Sequence, residues 1–347
     1  MILFHNDYNE ACHENVMAYM LENQKNQMDS YGMDVSCARA RKLICKLCDD
    51  ESLSVHFLVG GTQANLTVIA AALRPHQAAV GAVTAHIHAH ETGAVEATGH
   101  KIIALPTEDG KITAGQVEEL VLSHRADESF EHIAQPKLIY ISNPTELGTI
   151  YSLKELSDIS SVCKKLGLYL FVDGARLGYG LASNENDITL ADLAKLTDAF
   201  YIGGTKQGAM FGEAVVISNP AIAEDFRYIM KQHGGMLAKG WLLGLQFEAL
   251  LQDGLYFKIA AHANNMAQKI RDTLEKLGYP LLISSPTNQI FPILPDGLLE
   301  KLKEKFTFTE QTRIDECHRA VRFCTSWATK EENVDALCRE LELLSQP

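Results

Sequence analysis

The amino-acid sequence predicts an α/β protein: a mostly parallel open sheet, followed by a smaller α+β domain. Three observations predict this class. Short segments are apolar at successive positions, as strands covered by helices on both faces require. Most of the intervening segments have helical periodicity, and such alternation of strand and helix is typical of parallel sheets. From about Met236 the pattern changes, and a chain of 347 residues is long enough for two domains.

Seven apolar segments are the predicted strands of the sheet. None of them alternates polar and apolar residues, so we expect both faces of the sheet to be buried. The segments are "VHFLV" (55–59), "AAVGAV" (78–83), "KIIAL" (101–105), "KLIYI" (137–141), "LYLFV" (168–172), "DAFYI" (198–202) and "EAVVI" (213–217).

Helical periodicity fills the gaps, as in "TQANLTVIAAAL" (62–73) and "SLKELSDISSVCKKLG" (152–167). The second of these ends in two lysines and a glycine, a signal for the end of a helix. Two long helical patterns, 236–254 and 256–278, then lead into short strands and helices. We therefore expect an N-terminal segment and large α/β domain at 1–245, and a small α+β domain at 246–347.

Composition disfavours several classes of function. The net charge of −13 argues against nucleic acid and anionic membranes as partners. No apolar run approaches the roughly 18–20 residues of a membrane span, and no leader peptide is predicted at the start. Eight cysteines without the spacing of a disulfide framework predict a reducing compartment, the cytoplasm. Cys45 and Cys48 form a C-x-x-C inside a helical pattern and are interpreted as core packing.

Polar residues follow three of the predicted strands, where open α/β sheets bind ligands. Gly60, Gly61 and Thr62 begin a helix after the first strand, and a helix start suits a phosphate. Asp173 follows four apolar residues and needs a partner, which could be Arg176 or a ligand cation. At the third strand end, Lys206 follows two glycines after "DAFYI". Taken alone it would be a surface lysine, but in a dry pocket its pKa would fall and its neutral amine would be a nucleophile.

The combination of these three strand ends predicts pyridoxal 5′-phosphate as the cofactor. This cofactor requires a lysine for its Schiff base, a carboxylate that keeps its ring nitrogen protonated, and a helix end for its phosphate. Lys206, Asp173 and the turn at Gly60 and Gly61 supply these three parts in one α/β domain.

Three segments carry a resemblance to a known family. "FVDGARLGYG" (171–180), "GGTKQGAMFGEAVV" (203–216) and "HIHAHETGAVEATGHK" (86–101) resemble the low-specificity threonine aldolases, within the β-eliminating lyases of the fold-type I pyridoxal-phosphate enzymes. The resemblance extends from "HNDYNE" near the start to "VRFCTSW" (321–327). It implies the aminotransferase-like fold, an amino-acid substrate, and a homodimer or homotetramer with its sites at the subunit interface.

The resemblance also implies roles for individual residues. Lys206 would be the Schiff-base lysine, Asp173 the partner of the ring nitrogen, and Arg176 a neighbour of the cofactor's phenolic oxygen and of the substrate carboxylate. The phosphate turn would contain Gly60, Gly61 and Thr62, with Asn65 close behind.

Substrate-binding residues are implied at the two ends of the chain. Arg322 would clamp the substrate carboxylate, a task that suits the planar guanidinium fork. Tyr31 would reach a neighbouring subunit's site. Asn6 stands where the family usually has serine, and Leu237 where relatives often have a phosphate-binding arginine, for which Lys239 could substitute.

The segment 84–100 contains four of the 13 histidines. By the resemblance, His86 stacks on the cofactor ring and handles the β-hydroxyl proton, and Glu91 orients water or His86. His90 would line the substrate pocket, and His88 would pack or face solvent. The competing hypothesis is a metal-dependent hydrolase with a zinc site at His86, His88 and His90, but it leaves Asp173 unexplained.

The reaction implied by the resemblance is cleavage of L-threonine or L-allo-threonine to glycine and an aldehyde. β-Elimination from another β-substituted amino acid is the alternative on the same scaffold, since a fold does not select the reaction. A catalytically silent interaction protein of the same fold is a further alternative.

Overall fold

The computed structural model describes residues 1–345. Within this range the strands are β1 (Ile2–Leu3), β2 (Ser54–Leu58), β3 (Gln77–Ala82), β4 (Lys101–Leu105), β5 (Gln135–Ser142), β6 (Tyr169–Asp173), β7 (Ala199–Gly203), β8 (Glu213–Ile217), β9 (Gln289–Ile290), β10 (Ile293–Pro295), β11 (Phe306–Thr307), β12 (Thr309–Arg313) and β13 (His318–Cys324). The seven predicted strands are all confirmed as β2 to β8, with their ends displaced by at most two residues.

The helices lie between the strands and in the C-terminal part. They are α1 (Glu14–Asn23), α2 (Val35–Leu47), α3 (Gly61–Ala72), α4 (His86–Ala89), α5 (Ala114–Ala126), α6 (Leu153–Leu166), α7 (Leu177–Leu181), α8 (Leu190–Leu196), α9 (Pro220–Ala223), α10 (Phe226–Gln232), α11 (Trp241–Leu251), α12 (Leu255–Lys276), α13 (Asp296–Leu302) and α14 (Glu331–Leu344). Short 3₁₀ turns occupy Glu96–Thr98, Phe130–His132 and Gln252–Gly254.

Helix α6 illustrates how the sequence sets the ends of a helix. At its start, Ser152 and Glu155 form a reciprocal capping box in which each side chain accepts a hydrogen bond from the other residue's backbone N–H. At its end, Gly167 adopts φ 71°, a left-handed conformation that costs glycine little. The predicted stop at this glycine is therefore confirmed.

The large sheet has seven strands in the order β2-β8-β7-β6-β5-β3-β4. Strand β8 is antiparallel to both of its neighbours, and every other adjacent pair is parallel. The prediction of a mostly parallel open sheet is confirmed. Because β8 alone is reversed, its first residue lies at the same edge as the carboxyl ends of the other six strands.

Helices cover both faces of this sheet, and every residue of β3, β7 and β8 is buried. Helix α11 is buried from Leu243 to Leu251 and packs mainly against α2. No helix in the described range is long and apolar enough to cross a bilayer.

A second hydrophobic cluster lies in the C-terminal part of the chain. It contains Ile270, Phe323 and Leu337 together with Phe4 from the N-terminal segment. Strand β1 pairs with β11 in parallel, so the first residues of the chain pack with the last hundred. Helix α12 contributes to both clusters, with Ile259 in the first and Ile270 in the second. The domain division at 245 and 246 stays a prediction.

Candidate active site

The carboxyl edge of the large sheet brings together the three polar strand ends found in the sequence. The register places Glu213, the first residue of β8, opposite Leu58 at the end of β2 and opposite Gly203 at the end of β7. Strand β6 ends beside them at Asp173. The turn at Gly60, the carboxyl group of Asp173 and the segment that bears Lys206 therefore share one edge, as the topology rule for α/β sheets predicts.

The glycine turn presents the start of helix α3 without a side-chain cap. The first helical bond runs from Ala64 N to Gly60 O at 3.0 Å, so the preceding N–H groups are left for an external acceptor. A Cβ on Gly61 would lie 3.1 Å from the Tyr201 hydroxyl, which explains the glycine there. The exposed Thr62 side chain adds a hydroxyl. These groups fit a phosphate.

Asp173 is only 4% exposed and is surrounded by hydrogen-bond donors. The Tyr201 hydroxyl and Ala175 N donate to Oδ1, while Asn65 Nδ2 (3.0 Å) and the Tyr140 hydroxyl donate to Oδ2. Burial raises the pKa of Asp173, but the donors, the two tyrosines above all, outweigh burial and lower the pKa below its usual value. The site therefore holds an ionised carboxylate without a direct cation, which fits the protonated nitrogen of a pyridine ring.

Arg176 pairs with Asp7 and not with Asp173. Its Nε and Nη2 donate to the two Asp7 oxygens at 2.7 and 3.0 Å, a bidentate pair between residues 169 positions apart in the chain. Burial raises the pKa of Asp7, yet Arg176 and Lys206 lower it to about 2. Of the two partners that the sequence allows for Asp173, Arg176 is therefore not in contact with it, because Asp7 occupies the guanidinium.

Lys206 lies three residues beyond β7, in a turn that closes on the start of β8. Its backbone oxygen accepts a hydrogen bond from the Tyr179 hydroxyl. Burial lowers the pKa of the Lys206 ammonium, and the nearby Arg176 guanidinium lowers it further. Within residues 1–345 no carboxylate oxygen lies within 4.0 Å of Lys206 Nζ. An amine with a lowered pKa and no ion-pair partner fits covalent attachment to a carbonyl group.

His86 begins the short helix α4 and is fixed from two sides. Its Nδ1 lies 2.7 Å from Oε1 of Glu91, whose side chain is fully buried. Its backbone N donates to Glu146 Oε1 at 2.9 Å. The His90 ring centroid lies 5.6 Å from that of His86, and burial, His86 and Arg322 together lower the pKa of His90. This places His86 and His90 side by side.

The structure does not assemble the three clustered histidines into a metal-ligand set. His88 is exposed on helix α4, away from the hydrogen bonds that hold His86. In residues 1–345, the group whose ligand atoms all lie within 4.8 Å of one another is Asp315, Cys317 and His318, on an exposed hairpin far along the chain. The metal hypothesis for residues 86–90 therefore has no geometric support.

Arg322 and Asn6 lie near the junction of the N-terminal segment with β13. Arg322 donates to His5 O at 3.0 Å and to Gln289 Oε1 at 3.1 Å, while its buried Nε has no partner in the described range. Asn6 is half-buried, and its Oδ1 accepts from Tyr8 N at 3.0 Å. The roles of Arg322 and Asn6 in substrate binding stay predictions.

Tyr31 contacts Lys231 and Arg227 of its own chain, and not Asp173 or His86. It is 42% exposed, its ring lies 5.0 Å from Lys231 Nζ, and its backbone oxygen accepts from Arg227. Leu237 is half-buried and Lys239 is exposed. A role for Tyr31 across a subunit interface, and one for Lys239 at the phosphate, stay predictions.

Glu213 is a site residue that the sequence analysis missed. It is 3% exposed and accepts hydrogen bonds from the Thr205 hydroxyl at 2.7 Å and from Gly204 N at 2.9 Å, so it holds the turn that precedes Lys206. Burial raises its pKa to about 7. The signal that could have revealed it is an acidic residue at the head of the apolar strand "EAVVI".

Glu213→Gln is expected to remove a pH-dependent loss of stability. The pKa of Glu213 is about 7 in the folded chain, against about 4.3 for an unfolded glutamate. The folded state therefore binds this proton more tightly, and the wild type loses stability as the pH rises from about 4 through 7, by on the order of 3 kcal/mol. Glutamine cannot ionise and does not lose that stability.

Urea unfolding at pH 5 and pH 8 measures this effect. The difference in unfolding free energy between variant and wild type should shift in favour of Glu213→Gln at the higher pH. Glu119→Gln, at an exposed position on α5, should follow the wild type at both values. Parallel pH profiles for Glu213→Gln and the wild type would show that Glu213 is ionised throughout.

Comparisons with known proteins agree over nearly the whole chain. A sequence model of the β-eliminating lyase family matches residues 10–295. The low-specificity L-threonine aldolase of Pseudomonas aeruginosa is 31% identical over 345 residues, which cover 97% of this chain and 96% of that protein. The enzyme of the same name from a Pseudomonas species is 32% identical over 324 residues, with 90% and 89% covered.

Solved structures give the same result at the level of the fold. A structure of Leishmania major threonine aldolase matches with a TM-score of 0.97 and 44% identity, and the match covers 100% of both chains. A double mutant of Thermus thermophilus aspartate aminotransferase matches with a TM-score of 0.71 and 15% identity over 99% of this chain and 91% of the other. That second match confirms the fold-type I, aminotransferase-like architecture. By sequence and by structure, this chain belongs to the β-eliminating lyase family.

Proposed function

We propose that this chain is a pyridoxal 5′-phosphate-dependent carbon–carbon lyase that splits L-threonine or L-allo-threonine into glycine and acetaldehyde. The observation that carries the proposal is the meeting of three groups at one sheet edge. They are the uncapped start of α3, the ionised Asp173, and Lys206, which has no ion-pair partner among residues 1–345. The threonine aldolases from Pseudomonas and Leishmania, of which the matches cover 89–100%, support the choice of substrate.

The residues present fit the cofactor part by part. The N–H groups at the start of α3, that of Gly61 among them, and the Thr62 hydroxyl would hold the phosphate, and the open space beside Gly60 would accommodate it. Asp173 would pair with the ring nitrogen, and Lys206 would carry the covalent link. When bound, the cofactor supplies an electron sink for a bond that breaks at the substrate Cα.

The arginines would orient the substrate through its carboxylate. Arg176 keeps N–H groups beyond the two that bind Asp7, and the buried Nε of Arg322 has no partner within residues 1–345. Two guanidinium groups that hold one carboxylate fix which bond at Cα lies across the ring plane. His90, Asn6 and a neighbouring subunit's Tyr31 would line the rest of the pocket.

His86 would take the proton of the β-hydroxyl group. As the Cα–Cβ bond breaks, its electron pair remains with Cα, the β-carbon becomes the aldehyde carbon, and the hydroxyl proton passes to the His86 ring. Cα then receives a proton, and glycine is released. Glu91 holds His86 Nδ1 at 2.7 Å, which leaves the other ring nitrogen, Nε2, as the one that would take the proton.

A scan of amino acids distinguishes this reaction from its alternative. L-Threonine and L-allo-threonine should give equal amounts of glycine and acetaldehyde, and β-substituted amino acids should give little pyruvate or ammonia. Release of a keto acid and ammonia from β-substituted substrates, with threonine left intact, would instead show that the enzyme catalyses β-elimination.

His86→Phe is expected to retain cofactor but to lower the turnover of threonine by about 10²–10⁴-fold, the range for general acid–base catalysis. Phenylalanine keeps a flat ring at that position but cannot take a proton. His88→Phe is the matched control, because His88 is exposed on the same helix, and it should retain near-normal turnover. Stopped-flow and steady-state acetaldehyde assays measure both variants. Normal cleavage by His86→Phe would assign the proton to another route, such as a water held by Glu91.

We also infer a homodimer or homotetramer in the cytoplasm. Tyr31, Met33 and Val35 are 42%, 64% and 56% exposed in one short segment, an apolar surface that a second subunit would cover. All eight cysteines are free, which supports a reducing compartment. Light scattering of the purified protein gives the subunit number, and a monomer at micromolar concentration would contradict the first part.

A further inference from the structure

One buried amide joins the two carboxylates of the site. Asn65 lies on α3 and is 0% exposed. Its Nδ2 donates to Glu91 Oε1 at 2.7 Å and to Asp173 Oδ2 at 3.0 Å. Among residues 1–345, no other side-chain nitrogen donates to both carboxylates. The chain of contacts thus runs from His86 through Glu91 and Asn65 to Asp173.

The orientation of the amide follows from its surroundings. Asn65 Nδ2 donates to both carboxylates, and Asn65 Oδ1 has no partner in the part of the chain that the structure describes. A flipped amide would direct its oxygen at two negatively charged groups and leave both hydrogens unused. The observed orientation costs one unpaired carbonyl oxygen, which is less unfavourable than the repulsion and the lost hydrogen bonds of the flipped amide.

Neither carboxylate has a lysine or an arginine beside it. In the described range, Glu91 has His86 as its sole ion-pair candidate, and Asp173 has none. Two buried carboxylates that contact the same amide nitrogen repel each other, and a neutral hydrogen-bond donor placed between them offsets that repulsion. The Asn65 amide is the donor that serves both.

We infer that Asn65 is a positioning residue, which fixes the Glu91–His86 pair and Asp173 relative to each other by donating from one amide nitrogen to both carboxylates. The inference rests on the proposed function for what His86 and Asp173 do. It makes one side chain responsible for two events, the acceptance of the hydroxyl proton and the protonation of the cofactor nitrogen. It also differs from the sequence expectation, which placed Asn65 near the phosphate.

The pH dependence of this unit involves groups from several elements. Those that face Asp173 and Glu91 are His86 from α4, Tyr140 from β5, Tyr201 from β7, Glu146 after β5, Lys206 after β7 and Glu213 from β8. All of them are retained when Asn65 alone is changed, so a comparison of variants at one position isolates the amide.

Asn65→Leu and Asn65→Asp test the inference, with Thr67→Val as the matched control. Leucine keeps the size but removes both donors, and aspartate replaces a donor by a third acid. Thr67 is buried on the same helix, and its hydroxyl has no partner in the described range. The first measurement uses cofactor-free protein and follows the urea midpoint between about pH 3 and pH 8, a range that includes the ionisation of an aspartate.

In the wild type the lowered pKa of Asp173 stabilises the folded state at pH values above the pKa of an unfolded aspartate. This contribution is lost as the pH falls through the lower pKa of the folded state. Asn65→Leu should therefore fall further below the wild type as the pH rises from about 3 to about 5, where Asp173 ionises, and the gap should then stay constant up to pH 8. In Asn65→Asp the gap should keep growing toward pH 8, because the added acid must ionise while buried beside two carboxylates. Thr67→Val should differ from the wild type by the same amount at every pH. If the difference in urea midpoint between Asn65→Leu and the wild type does not depend on pH anywhere in this range, Asn65 contributes only packing and the inference is overturned.

The second measurement uses the holoenzyme. The acid limb of the kcat/KM profile and the pH transition of the cofactor's absorbance should both move up in Asn65→Leu by about one pH unit, or tenfold, the effect of one hydrogen bond to a charged group. Superimposable profiles for Asn65→Leu and the wild type would also overturn the inference. If the wild type binds no cofactor, the proposed function fails, while the cofactor-free measurement still decides the role of Asn65.

Discussion

Lys206→Ala is expected to abolish threonine cleavage, with a loss on the order of 10³-fold or more, as when a catalytic nucleophile is removed. The physical reason is the environment of the amine. Burial and Arg176 lower the pKa of Lys206, which favours the neutral, nucleophilic form of the amine. Alanine leaves the cofactor held only by its phosphate and ring contacts. The measurement is single-turnover acetaldehyde release at saturating cofactor.

Lys276→Ala is the control for this change. Lys276 is an exposed lysine at the end of α12 that pairs with Glu342, far from the sheet edge. Its replacement should leave turnover unchanged. Turnover by Lys206→Ala within tenfold of the wild type would mean that another amine carries the cofactor.

Asp173→Asn is expected to preserve the fold and part of the cofactor binding, yet to lower turnover by about 10²–10³-fold, as for loss of one preorganised electrostatic partner. Asparagine has the same shape but no charge to keep the ring nitrogen protonated. Its amide would also face the hydroxyl hydrogens of Tyr140 and Tyr201, which now donate to the carboxylate. The loss should appear in kcat, with the cofactor absorbance shifted to that of an unprotonated ring.

Asp198→Asn provides a matched comparison at the opposite end of the sheet. Asp198 accepts from Leu170 N at 2.7 Å and from Asn219, so its loss should lower stability without altering the turnover of the folded protein. Near-normal turnover in Asp173→Asn would remove Asp173 from the role of ring partner.

Much of the fold could be predicted because its signals are local. Strands buried on both faces require continuous apolar runs, so β2 to β8 are visible in the sequence. The topology rule then places Gly60, Asp173 and Lys206 at one edge without any knowledge of their contacts. The reversal of β8 was not predicted, since an apolar run contains no information about strand direction.

The connections within the site could not be predicted, because they join residues far apart in the chain. Asp7 meets Arg176 across 169 positions, and Asn65 meets Asp173 across 108. No periodicity marks such pairs. Asn65 lies in a helical pattern, and periodicity does not show that its side chain is buried against two acids. Glu213 is the first residue of an apolar strand, so the strand pattern alone gives it no separate signal.

Reduction of the purified holoenzyme with borohydride, followed by peptide mapping, tests the central claim most directly. The claim is that one lysine, held at the carboxyl edge between the uncapped α3 and Asp173, carries the cofactor. The predicted result is a pyridoxyl group fixed on the peptide that contains Lys206, with loss of the yellow chromophore and of activity in equal measure. A pyridoxyl group on any other lysine, or no labelled peptide at saturating cofactor, would contradict the claim.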